Sequence, residues 1–230
     1  MRTLYADASV PIRPDLAAAH LATVEGYAQA GNHWTGAERL AMVAEVRRAR
    51  AADELLPWVR PTTVDGLIAE DHPLPAAAVD AIWRLTNHPG TLTRDWYEET
   101  VAGELDPGRY VELVGVVATA NCLEVFAQAV GVDPVPLPAP TEDEPLGPAA
   151  VETAVSSHWV PTEVGTRGPN VGKALTAVPA SVAAWRHLSD AQYVPGDALL
   201  GDLHWSRGAI DRAQVELLAA RTSLLNECFY

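Results

Sequence analysis

Two capping boxes mark where this chain can begin helices: Thr35-Gly-Ala-Glu38 and Asp211-Arg-Ala-Gln214. In each, the first side chain can accept from the backbone N–H three residues on, while the fourth reaches back to the first residue's own N–H. Behind the first box, Leu40, Val43, Ala44 and Val46 recur on one side of a helix predicted from Glu38 to about Glu54. Other start and stop signals agree. An Ala-rich stretch from Asp15 to about Ala30 closes at Gly31, and Pro75 opens Ala76–Thr86, which Pro89-Gly90 stops. Thr93 can cap Arg94–Ala102, and Asp106-Pro107 opens the longest apolar stretch, Gly108 to Val130, before Gly131. The Val-rich run inside it could form a strand, but its length favours helix. Pro169–Ala177 and Pro179–Tyr193 read as further helical segments. The expected fold class is all-α.

Setting Thr35 on Asp211 superimposes Glu38 on Gln214, Ala44 on Ala220 and Ala52 on Cys228, which suggests an internal repeat. Residues 1–135 are then expected to form one full helical unit, and 151–230 the first part of a second. Between them, 136–150 carries repeated Pro and the acidic Thr141-Glu-Asp-Glu-Pro145, the composition of a linker or external arm. A partial second unit would leave Leu217, Leu218, Leu224 and Leu225 uncovered, so another chain or the first unit must shield them.

Charge excludes some partners. With a net charge of −14, the chain is expected to bind neither nucleic acid nor an anionic membrane surface. The longest uninterrupted apolar run, Leu113 to Ala120, falls short of the roughly 20 residues a span needs. No signal-peptide core follows Met1, so the cytoplasm is the expected location. In that compartment Cys122 and Cys228 would not form a structural disulfide. No G-x-S-x-G, H-E-x-x-H or G-x-G-x-x-G occurs. Gly168–Ala174 is one residue short of a phosphate loop and has Ala where Ser or Thr must meet magnesium. Asp202 and His204 alone are a surface pair rather than a metal site. No metal or cofactor is expected.

Cys228 is the candidate nucleophile. A thiol attacks as the thiolate, so it needs a base and a lowered pKa. Glu216 lies twelve residues upstream, about 18 Å away along one straight helix, so a relay requires a bend near Leu225–Asn226. The bland alternatives are an inert terminal thiol at Cys228 and a solvated carboxylate at Glu216. Cys122, inside an apolar helix, is expected to be core packing.

The stretch Asp211–Tyr230, ending Asn226-Glu-Cys-Phe-Tyr230, resembles the peroxidatic helix of the alkylhydroperoxidase D-like (carboxymuconolactone decarboxylase-like) family. Pro169–Tyr230 carries most of the likeness. Thr35–Pro140 carries a looser one, through Tyr110–Ala118 and Phe126–Val132, with the cysteine positions at Ala52 and Leu55. The family pattern is Glu, eleven residues, Cys-x-x-Cys, then His. It implies Glu216 as relay base and Cys228 as the first cysteine, with the second falling at position 231. A selenocysteine codon read as stop is one account of that ending, a frameshift or truncated gene another. The resemblance implies an all-α homo-oligomer acting as a peroxidase-like thiol oxidoreductase, with an organic hydroperoxide and a thiol reductant as small-molecule partners. Alternatives are a non-catalytic helical interaction module and an enzyme of the decarboxylase branch.

Overall fold

The computed structural model describes residues 4–52, 72–156, 158–168, 170–199, 201 and 204–225. It is mostly helical, as expected. The helices are α1 (Pro14–Tyr27), α2 (Gly36–Ala51), α3 (Ala76–Asn87), α4 (Arg94–Ala102), α5 (Pro107–Val130), α6 (Asn170–Lys173), α7 (Pro179–Gln192), α8 (Gly196–Leu199) and α9 (Arg212–Leu225). Two antiparallel two-residue ladders join β1 (Thr153–Ala154) to β2 (Thr162–Glu163) and β3 (Ser206–Arg207) to β4 (Ile210–Asp211).

Local chemistry sets the helix ends. Thr35 Oγ1 accepts from the Glu38 N–H at 3.2 Å, and the Glu38 carboxylate accepts from the Thr35 N–H at 2.8 Å. Asp106 Oδ1 takes the N–H groups of Gly108 and Arg109 at 2.8 and 3.0 Å. At the far end of α5, Gly131 adopts φ +72°, the left-handed conformation that glycine enters without a Cβ penalty.

α5 is the central helix. Leu113, Val116, Val117, Ala120 and Leu123 are buried in a core shared with α2 and α3 through Val43, Val46, Val79, Ile82 and Trp83. Against α7, Val111 joins a second cluster with Leu175, Val178 and Val182. Apolar cores therefore run across the boundary expected at residue 135. By length and hydropathy α5 is also apolar enough to cross a membrane, which the search for uninterrupted runs missed. Here 56% of that apolar stretch is buried within the protein.

Three carboxylates lie inside this apolar framework: Glu45, Glu112 and Glu124. Each has donors, as a buried charge requires. Arg47 Nε meets Glu124 at 2.8 Å. The His33 N–H reaches Glu112 at 2.8 Å, with Arg39 Nε 3.6 Å from its other oxygen. Burial raises the Glu112 pKa, opposed by the His33 N–H and then by Arg39.

The Pro-rich stretch is tied to the helical body at several points. Thr141 donates its N–H to Ala28 O at 2.8 Å, and Leu146 and Gly147 donate theirs to Gly31 O and Asn32 O at 2.9 Å each. Asn32 Nδ2 returns a bond to Gly147 O at 2.9 Å, and Val135 is buried. Proline favours an extended backbone, and the N–H groups of Thr141, Leu146 and Gly147 pair with the α1–α2 loop.

His20, fully buried on α1, ties α1 to α7. Gln192 Oε1 can only accept, so His20 Nε2 carries the proton across 3.3 Å, and Nδ1 accepts from the Tyr5 hydroxyl at 2.6 Å. Burial lowers its pKa, and the Gln192 bond opposes this. His88 is lowered too, by burial and then by Arg84. Below the unfolded histidine value of about 6.5, the unfolded chain takes up protons that these sites resist. The stability present above that pH is therefore lost as pH falls toward the lower folded values. The urea midpoint is expected to drop between about pH 7.5 and about pH 5.5, and less so in His20→Gln. A midpoint that rises over this window would contradict the burial of these neutral imidazoles.

Candidate thiol site

The second capping box forms as the spacing predicts. Gln214 N–H donates to Asp211 Oδ1 at 2.9 Å, and Asp211 N–H donates to Gln214 Oε1 at 3.0 Å. It starts α9, which carries Glu216 in its second turn. Arg212 Nε donates to Glu216 Oε1 at 2.6 Å, and the Tyr193 hydroxyl donates to Oε2 at 2.9 Å. Burial raises the Tyr193 pKa, and the bond to Glu216 raises it further. The glutamate side chain remains 45% exposed, so the carboxylate can exchange protons with water while two donors hold its position.

Of these partners, Arg212 was legible: it precedes Glu216 by four residues, one helical turn. Tyr193 was not, because it arrives from the end of α7. α9 is helical through Leu225, with no bend before it. Nine residues of helix put Leu225 about 13.5 Å along the axis from Glu216. Cys228 and Asn226 lie outside the described residues, as does Asp202.

Cys122 departs from the expectation of core packing: it is an exposed residue of α5. Its position on the helix turns it away from the α2–α3 core that Ala120 and Leu123 enter. Burial of the thiol group nevertheless pushes its pKa up. At neutral pH such a thiol stays protonated and is a poor nucleophile. Among the described residues, no group of three or more His, Cys, Asp or Glu side chains could hold a metal ion. The chain matches no family model, no curated protein and no solved structure.

Proposed function

We propose that this helical chain is an alkylhydroperoxidase D-like protein that reduces organic hydroperoxides through Cys228, with Glu216 as the base. The observation that carries the reading is Glu216 itself. It sits on a helix twelve residues before Cys228 and is held by Tyr193 and Arg212 while still reaching water. Glu216 takes the thiol proton. The thiolate then attacks the terminal peroxide oxygen, forming an S–O bond as the O–O bond breaks, and the departing alkoxide takes up a proton. Sulfur loses two electrons to the peroxide, leaving a sulfenic acid and an alcohol. A thiol reductant condenses with the sulfenic acid, releasing water and forming a mixed disulfide.

Trapping with dimedone after one equivalent of cumene hydroperoxide tests this. The adduct is expected at Cys228 and not at Cys122, and Cys228→Ser should abolish it. Glu216→Gln should slow trapping about a hundredfold, the size of a general-base contribution. An adduct confined to Cys122, or none, removes the assignment.

A second reading, an interaction module that has lost its chemistry, is favoured by the other side of α9. Leu217, Leu218, Leu224 and Leu225 are each 60–70% exposed, and Val215 is the buried apolar anchor of this helix among its described residues. This face also supports the homo-oligomer that the resemblance implies. Light scattering should give an assembly for the full chain and a monomer for Leu218→Glu/Leu225→Glu; a monomeric parent chain counts against it.

A further inference from the structure

A cleft of about 100 Å3 opens between α1, α5 and α7. Ala22 and Gly26 on α1 and Ala184 on α7 leave it open, and a Cβ at Gly26 would meet nothing within 4 Å. The polar groups of its wall are already engaged. Thr23 donates to Ala19 O at 2.8 Å, Tyr27 donates to Thr119 Oγ1 at 2.9 Å, and Thr119 donates to Gly115 O at 2.9 Å. Arg39 Nη1 donates to Gly26 O at 3.0 Å, and the buried Glu112 carboxylate, 3.6 Å from its Nε, opposes its charge. Half-buried Ser181 and exposed His187 reach water at the mouth. A wall whose dipoles are satisfied from within calls for hydrocarbon.

α9 presents the complementary shape. Leu217, Leu218, Leu224 and Leu225 are 60–70% exposed, and none lines the cleft of its own chain. Each carries a four-carbon isobutyl side chain. A cavity of about 150 Å3 holds the six carbons of benzene, so about 100 Å3 suits the four of a leucine. Charge agrees with shape. Two copies at net charge −14 repel, and they meet at least cost where carboxylates are absent. From Leu217 to Leu225 the helix carries Arg221 and no Asp or Glu. The described residues lining the cleft include no carboxylate either, while exposed Glu25 stands beside its mouth, one residue from Gly26. Arg221, four residues after Leu217 and four before Leu225, shares their face and gains a counter-charge there.

We infer that the cleft between α1, α5 and α7 receives a leucine of α9 from a second copy of this chain, with the partner's Arg221 beside Glu25. The inference rests on the self-association proposed above for α9 and names the surface that receives it. Leu21, 39% exposed and one residue before Ala22, extends the apolar rim for the neighbouring leucines. The contact joins two different patches. A reciprocal exchange therefore closes a dimer, and a one-way exchange builds a longer assembly.

Sedimentation velocity of the full chain tests this. Ala184→Leu fills the cleft from α7 and Ala22→Leu fills it from α1; both are exposed helix positions that accept leucine. Each is expected to weaken self-association at least about tenfold, the loss of one buried anchor. Leu217→Ala/Leu218→Ala/Leu224→Ala/Leu225→Ala keeps the cleft but lacks the insert, and should be weakened as much. Mixed with Ala184→Leu, it should form a hetero-assembly, because one partner supplies the open cleft and the other the leucines. A monomeric parent chain removes the self-association of α9 and this inference with it. A parent that assembles while both filled variants assemble equally well overturns this inference alone, leaving α9 faces that pair with each other. So does a mixture that forms no hetero-assembly.

Discussion

Trp83→Ala is expected to destabilise the fold by about 4–8 kcal/mol, a large part of the 5–15 kcal/mol that holds a typical domain together. Trp83 is 2% exposed on α3, inside the core shared by α2, α3 and α5. Truncation leaves a cavity worth about 3–5 kcal/mol. It also removes the indole N–H that meets Glu45 Oε1 at 2.6 Å. Glu45 is 4% exposed, and His72 Nε2 at 3.3 Å and Arg48 Nη1 at 3.4 Å reach it from farther away. Leaving a buried acceptor short adds about 1–3 kcal/mol. Trp83→Phe keeps most of the ring and should show chiefly that smaller loss. Urea unfolding measures both. Equal losses in the two variants would mean that the hydrogen bond, not the cavity, carries the effect.

Gly36→Ala should cost about 2–3 kcal/mol, although Gly to Ala inside a helix ordinarily gains about 1 kcal/mol. Gly36 is the first residue of α2, and a Cβ there would lie 1.9 Å from the backbone oxygen of Ala28. That oxygen cannot swing aside. It accepts from Thr141 N at 2.8 Å and Thr141 Oγ1 at 3.2 Å, which bind the Pro-rich stretch to the loop. Gly26→Ala on α1 meets nothing within 4 Å and should instead gain up to about 1 kcal/mol. Opposite signs for one substitution, read from thermal midpoints, test the close approach directly. Destabilisation of both by the same amount would point to a general helix effect.

The helix starts were readable because capping is local. Thr35, Thr93, Asp106 and Asp211 each accept from N–H groups within three residues. The exposed leucines of α9 were readable from their order along one helix, Leu217, Leu218, Leu224 and Leu225. Cys122 was misread because hydrophobic neighbours in sequence do not say which face of α5 meets the core. The anchoring of 136–150 was not readable, because composition describes a free chain, whereas its attachment depends on carbonyls at Ala28, Gly31 and Asn32, more than 100 residues earlier. Glu45, Glu112 and Glu124 gave no sign of burial. Charged residues inside helices normally face water, and only the arrival of Trp83, His33 and Arg47 from elsewhere keeps these three inside.

Residue order alone determined an all-α chain and the two capping boxes at Thr35 and Asp211. Tertiary structure decided that α5 lies at the centre and that Tyr193 holds Glu216. It also decided that Arg39 approaches the buried Glu112 to 3.6 Å. The division follows the range of the forces: backbone caps and i,i+4 pairs act within one helical turn, while burial depends on which distant segments exclude water from the same space.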